Sequence, residues 1–140
     1  MNTELMIAFL ASTAGAATPL VVASMGELVT ERSGVLNLGA EGMMLVAAVA
    51  GFMVGYQTQI PLLGFAAGAI AGMVMAVLFA WLALVLVTNQ VATGLALSIF
   101  GTGLSAFMGQ RFVGMSLPAQ AHGIPGLESL PFVGPALFAH

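Results

Sequence analysis

Residues 31–42 read ERSGVLNLGAEG, a polar, glycine-rich break between two apolar stretches. The break holds three of the seven charged side chains in the 140 residues. From Gly42 to Gln110 the chain has no charged residue and is rich in Leu, Val, Ala, Met and Phe. A soluble domain carries about 25% charged residues, whereas this chain carries 5% and is 60% hydrophobic. The composition therefore predicts a protein that crosses a membrane several times.

The rest of the composition excludes several classes of site. A net charge of −3, from five Glu and two Arg, is too sparse for a nucleic-acid surface, which needs clustered Lys and Arg. The sequence has no cysteine and no Asp. His122 and His140 have no metal-ligand spacing between them, and no phosphate-binding glycine motif occurs. We therefore predict no catalytic residue, no metal site and no cofactor on this chain.

The apolar stretches predict an all-α, polytopic transmembrane helical bundle with about four membrane segments. A membrane helix needs about 20 apolar residues. The Pro- and Gly-rich tail, residues 109–140, is predicted to be extramembrane or interfacial, because its prolines forbid a continuous helix. Pro19 lies inside the first segment and should kink it. The predicted segments lie near residues 5–29, 42–56, 62–87 and 91–108.

Glycines recur every four residues in the second and third segments, at Gly51 and Gly55 and at Gly64, Gly68 and Gly72. This spacing places them on one helix face, where another helix can approach closely. The pattern predicts a packing seam. The alternative is that small residues are simply common in membrane helices.

Two polar interruptions are candidates for a solute path. In the break, glycines free backbone groups, and Asn37 and Glu41 add an amide and a carboxylate. Irregular backbone at membrane depth is tolerated inside protein or beside a water-filled cavity. Asn89 and Gln90 form the second interruption, and amides can bond a hydroxylated or heterocyclic solute. The alternatives are a water-exposed loop capped by Glu41 and a tight turn between helices.

Three stretches carry a family resemblance. Residues 18–52, TPLVVASMGELVTERSGVLNLGAEGMMLVAAVAGF, resemble the opening of inner-membrane permeases of bacterial ABC importers. Residues 89–114, NQVATGLALSIFGTGLSAFMGQRFVG, and residues 123–138, GIPGLESLPFVGPALF, resemble later parts of the same proteins. The branch resembled is the nucleoside or simple-sugar type of the branched-chain amino-acid/ribose permease superfamily, and ERSGVLNLGAEGMM is its specific signature.

The resemblance implies a transport subunit rather than an enzyme, translocating nucleosides or simple sugars by alternating access. It implies a multi-pass protein of the bacterial cytoplasmic (inner) membrane, with the ends near Arg32 and Asn89 facing the cytoplasm and the tail facing outward. The implied partners are a second permease subunit, ABC ATPase subunits that bind ATP, a solute-binding protein and the lipid bilayer. Such permeases are longer and carry an ATPase-docking motif that is absent here, so we expect the N-terminal portion of one.

An alternative from another class stays open at this point. The chain is then a small, self-contained membrane scaffold or assembly protein that oligomerises through its glycine-rich helix faces. An ATPase-docking motif encoded in frame after His140 would distinguish the permease from the scaffold.

Overall fold

A computed structural model describes residues 3–117, and helices dominate them. No strand occurs in that range, so the all-α prediction is confirmed. Each long helix, with its short extension where one follows, is long and apolar enough to cross a membrane. The long helices are α1 (Thr3–Arg32), α2 (Ala40–Thr58), α3 (Pro61–Ala80) and α4 (Gln90–Gly109).

The helices α1, α2 and α4 are longer than the segments drawn from the sequence, whereas α3 with its extension ends at Val85, before the predicted end at residue 87. α1 runs through Pro19 without ending there. α2 has 19 residues, which at 1.5 Å per residue is about 28 Å, enough for a full crossing. Only two residues separate α2 from α3. Gln59 is one of them: it adopts a left-handed conformation and donates its N–H to the Gly55 carbonyl at 2.9 Å. Pro61 then takes the first position of α3, where its missing N–H costs nothing.

The end of α3 departs from regular α-helix. A five-residue π-helix, Trp81–Val85, continues it. Val87 then has φ 49°, in the left-handed region that β-branched residues avoid. Thr88 anchors this segment, since its hydroxyl donates to the Leu82 carbonyl at 2.7 Å. The same hydroxyl lies 2.8 Å from the Thr93 hydroxyl of α4. The connection between the π-helix and α4 is therefore short, and it carries the strain at Val87.

The chain divides into two compact units, of which one comprises residues 26–118. In the other, residues 1–25 and 119–140, the structure describes only the N-terminal part of α1. Within residues 26–118, α2 packs against both α3 and α4. The buried apolar core of this unit is contributed by all three helices and the π-helix: Met43, Val46, Met75, Phe79, Ala83 and Leu97.

A 3₁₀ turn, Gln110–Phe112, follows α4 and returns to α2 through aromatic contacts. The Phe112 ring meets Phe52 and Tyr56 edge to face, with centroids 6.2 and 5.9 Å apart. Residues 113–117 are not helical. The remainder of the predicted extramembrane tail, 118–140, lies outside the described residues, as do both histidines.

Candidate functional site

Within the break, residues 33–39 are non-helical, and a glycine C-cap fixes the start of this segment. Gly34 has φ +80°, a conformation that glycine adopts without steric cost. Its N–H donates to the Glu31 carbonyl at 2.9 Å, and the Val35 N–H donates to the Thr30 carbonyl at 3.0 Å. This pair of bonds is the Schellman motif, which satisfies the last carbonyls of a helix. α1 therefore ends where the sequence places its first break glycine.

Asn37 is buried in the middle of the break, with 9% of its surface exposed. Its Oδ1 accepts from the Gly39 N–H at 2.9 Å, and its Nδ2 donates weakly to the Met43 sulfur at 3.7 Å. Asn37 thus ties the break to the first turns of α2. An amide has two donor hydrogens and two acceptor lone pairs, so one of each is left for a further partner.

The break lies along α4, and two polar side chains hold it there. The Gln90 Oε1 accepts from the Leu36 N–H at 2.8 Å, and the Ser98 hydroxyl donates to the Leu38 carbonyl at 2.9 Å. Between them, a Cβ on Gly94 would lie only 2.7 Å from the Leu38 nitrogen. A side chain at position 94 would therefore push the break away from α4.

Asn89 and Glu41 lie at helix starts and are exposed. The Asn89 Oδ1 accepts from the Ala92 N–H at 3.0 Å, which makes Asn89 the N-cap of α4. Glu41 is in the first turn of α2, where the helix dipole favours a carboxylate. Of the four residues predicted for a solute path, the structure links Gln90 to the break that contains Asn37. Within residues 3–117, no side-chain hydrogen bond joins Glu41 or Asn89 to either of them.

The glycines predicted for packing meet between α2 and α3. A Cβ on Gly64 would lie 2.8 Å from the Gly51 carbonyl oxygen and 3.0 Å from the Gly55 Cα. A Cβ on Gly68 would lie 3.0 Å from the Ala47 carbonyl oxygen, while one on Gly72 would make only ordinary contact with the Ala47 Cβ, at 3.6 Å.

A second close approach joins the end of the break to α4. A Cβ on Gly42 would lie 2.6 Å from the Leu97 carbonyl oxygen, and one on Gly101 would lie 2.5 Å from the Gly42 carbonyl oxygen. The two backbones are in direct contact here. This contact, like the Gln90 and Ser98 bonds, holds the break against α4.

The family model for the permease component of branched-chain amino acid transport systems matches residues 9–135. The chain belongs to this permease family. Its resemblance to such permeases, predicted from the break and the second polar stretch, is thereby confirmed, and so is its nature as a multi-pass membrane protein.

Curated relatives of this permease chain are sugar and nucleoside transporters by name. It is 46% identical over 132 residues to a putative glucose ABC transporter permease of Haloferax volcanii, covering 91% of this chain and 40% of that protein. It is 27% identical over 135 residues to a guanosine permease of Bacillus subtilis, covering 88% of this chain and 42% of the relative. A nucleoside permease of Lactococcus lactis is 26% identical over 132 residues, covering 86% and 42%. The chain thus spans about two fifths of the length of these relatives. No solved structure matches the permease significantly.

The chemistry available at the break of this permease is hydrogen bonding. No hydrogen bond from another described residue reaches the carbonyl oxygen of Leu36, whereas the Asn37 carbonyl accepts within the turn at residues 38 and 39. In the part of the chain that the structure describes, no cluster of His, Asp and Glu could hold a metal ion. Free peptide groups and amides, at the edge of a membrane-spanning unit, can bind a neutral polar solute without a charged partner.

Ser98, Gly94 and Gly101 position the break and were not predicted from the sequence. The available signal was the run of small residues on α4 at spacings of four, three and four: Gly94, Ser98, Gly101 and Ser105. Three of these four are buried. Small residues at such spacings allow close helix contact, but the spacing alone does not say that the partner is an irregular segment.

Proposed function

We propose that the chain forms the N-terminal part of the membrane pathway of an ATP-driven importer, and that the solute is a nucleoside or a related simple sugar. The observation that carries the proposal is the break. Its residues 33–39 form a non-helical segment between two membrane-capable helices, held against α4, with the carbonyl of Leu36 left open. The family match and the names of the curated relatives support the same function.

The proposed solutes fit this chemistry. Nucleosides and simple sugars are neutral and rich in hydroxyl groups, which donate to an open carbonyl and accept from amides. Buried polar groups lose about 1–3 kcal/mol each when left unpaired, so a solute that pairs them is favoured over one that does not. We assign the solute path to Asn37 and Gln90 at the break, with Glu41 and Asn89 at the helix starts beside it.

The partners follow from the same proposal. A second permease subunit completes the pathway, ABC ATPase subunits bind and hydrolyse ATP, and a solute-binding protein delivers the solute. The assembly lies in the cytoplasmic membrane and works by alternating access. The alternative of a small membrane scaffold gains no support from the family match.

The test is uptake in cells with variants placed at the native chromosomal locus, so that the transporter assembles with its own partners. Deletion of the gene should abolish uptake of labelled guanosine, of labelled glucose, or of both, and restoring the gene should return it. Asn37→Leu should sharply reduce uptake at unchanged membrane abundance, because a buried hydrogen-bonding partner is removed. Ser116→Ala, at an exposed position after α4, is the control and should be near normal.

Uptake of both solutes that is unaffected by the deletion would contradict the proposed solute class. Wild-type uptake by Asn37→Leu would contradict the placement of the solute path at the break.

A further inference from the structure

Two side chains of α4 form hydrogen bonds with the backbone of alternate residues of the break, one as the acceptor and the other as the donor. Gln90 accepts from the Leu36 N–H at 2.8 Å, and Ser98 donates to the Leu38 carbonyl at 2.9 Å. Gln90, Gly94 and Ser98 are four residues apart and therefore lie along one ridge of the helix. The break is seated along this ridge, with Gly94 directly beneath Leu38.

Opposite polarity makes the attachment specific for one orientation of the peptide groups. If the peptide group between Leu38 and Gly39 turned over, the Ser98 hydroxyl would lose its acceptor and the Gly39 N–H would leave the Asn37 Oδ1. Asn37, between the two attachment points, is fixed by its own bonds to Gly39 and Met43. The segment that presents the open Leu36 carbonyl and the Asn37 amide is thus fixed at both ends.

Most hydroxyls on the helices of this chain serve their own helix. Thr102, one turn beyond Ser98 on α4, donates to the Ser98 carbonyl at 2.8 Å. Ser98 differs, because its hydroxyl leaves α4 and reaches a residue 60 positions away in the sequence. This bond is therefore not internal to α4 but joins α4 to the break.

We propose that Ser98 is a positioning residue for solute binding: with Gln90, which also lies on the proposed solute path, it holds the break so that the open Leu36 carbonyl and the Asn37 amide are presented in one fixed orientation. Ser98 itself does not contact the solute. The inference rests on the proposed function, since it assumes that the break binds the transported solute.

The expected effect of Ser98→Ala is on affinity. A typical intramolecular hydrogen bond contributes about 1 kcal/mol, so the ratio of the oriented to the other forms of the break should fall by a factor of roughly 5. The apparent KM for the solute should rise, with that factor as its upper limit. The maximal uptake rate at saturating solute should change less than about twofold, because solute binding restores the orientation.

The experiment measures KM and maximal uptake in cells carrying Ser98→Ala or Thr102→Ala at the native locus. Thr102→Ala removes a hydroxyl from the same helix whose bond is internal to α4, and it should leave KM unchanged. Gln90→Leu should raise KM as Ser98→Ala does. Gln90→Glu keeps an acceptor for the Leu36 N–H at a helix N-terminus, where a carboxylate is favoured, and should retain more affinity than Gln90→Leu.

A second readout reports on the break without transport. Leu38 is 46% exposed, and the 140 residues contain no cysteine. A Leu38→Cys reporter should react several times faster with a small water-soluble thiol reagent when combined with Ser98→Ala than when combined with Thr102→Ala. Equal labelling rates together with equal KM values would overturn the inference.

The two readouts separate this inference from the function on which it rests. If the wild type imports neither solute class, the proposed function fails, and the labelling comparison alone decides whether Ser98 holds the break. Faster labelling with Ser98→Ala then supports the positioning role, and equal labelling rejects it.

Discussion

Replacing Gly101 with alanine tests the contact between α2 and α4 that seats the break. A Cβ at this position would lie 2.5 Å from the Gly42 carbonyl oxygen and 2.6 Å from the Gly42 Cα. Ordinary contact begins at 3.4 Å, so the backbones must part by about 0.9 Å, the difference between 3.4 and 2.5 Å. A gap of roughly 0.5–1 Å already loses a quarter to a half of the dispersion energy of the contacts it opens.

Overpacking of a well-packed core costs about 1–3 kcal/mol. The obstruction here is backbone, which cannot turn aside as a flexible side chain does. We therefore expect Gly101→Ala to lower the free energy of unfolding by about 2–3 kcal/mol, in the upper part of that range. The matched control is Gly103→Ala, two residues further on α4, where a Cβ meets nothing within 4 Å. It should be neutral or stabilising by up to about 1 kcal/mol, because alanine is the better helix former.

The assay is unfolding of the purified protein in mixed micelles with increasing SDS, followed by the fluorescence of Trp81, the single tryptophan of the 140 residues. Gly101→Ala should unfold at a clearly lower SDS fraction than Gly103→Ala. If the two variants unfold at the same SDS fraction, the direct backbone contact between α2 and α4 is wrong, and so is the position of the break against α4.

Three further predictions concern the other contacts and the topology. Gly68→Leu should lower the free energy of unfolding by about 1–3 kcal/mol, because the new side chain separates α2 from α3. Gly72→Ala, whose Cβ meets only a side-chain methyl, should be tolerated. Equal stability of the two variants in the same SDS titration would mean that the glycine spacing reflects composition alone. Val87→Gly should raise the free energy of unfolding by about 1 kcal/mol, because it removes a β-branched residue from a left-handed conformation. Val85→Gly, inside the π-helix, should lower the free energy of unfolding by about as much. A change of the same sign in both variants would contradict the strain at Val87. A reporter enzyme that is active only in the cytoplasm should be inactive when it is fused after Gly123. Activity of this fusion would contradict the proposed outward orientation of the tail.

Much of the fold could be predicted from local sequence. Charge-free runs of about 20 residues predict membrane helices because an unpaired charge in the bilayer is costly. Gly34 predicts a helix end because only glycine enters the left-handed C-cap easily, and α1 ends there through a Schellman motif. The spacing of Gly64 and Gly68 predicts a close helix contact, and these residues lie against α2.

Features that depend on distant partners could not be predicted. Gly42 belongs to the quoted break, but nothing in its local sequence names Gly101, 59 positions later, as its neighbour. The π-helix at Trp81–Val85 lies within an apolar run that continues to Val87, and the Thr88 hydroxyl beyond that run donates back to the Leu82 carbonyl.

For the candidate site, the sequence located the polar residues but not their partners. Asn37 was predicted to face a solute, and the structure shows it bonded within the chain as well. Ser98 was not singled out, because a serine inside an apolar helix gives no local sign that it serves an irregular segment 60 residues away.

The central claim, that the break lines the solute path, is tested most directly by the reactivity of a cysteine at position 37. Asn37→Cys is expected to react with a small water-soluble thiol reagent in at least one state of the transport cycle, and saturating solute should slow that reaction. Leu95→Cys, on the exposed apolar surface of α4, is the control and should stay unreactive in the membrane. A cysteine at position 37 that is unreactive in every state, like the control, would contradict the account.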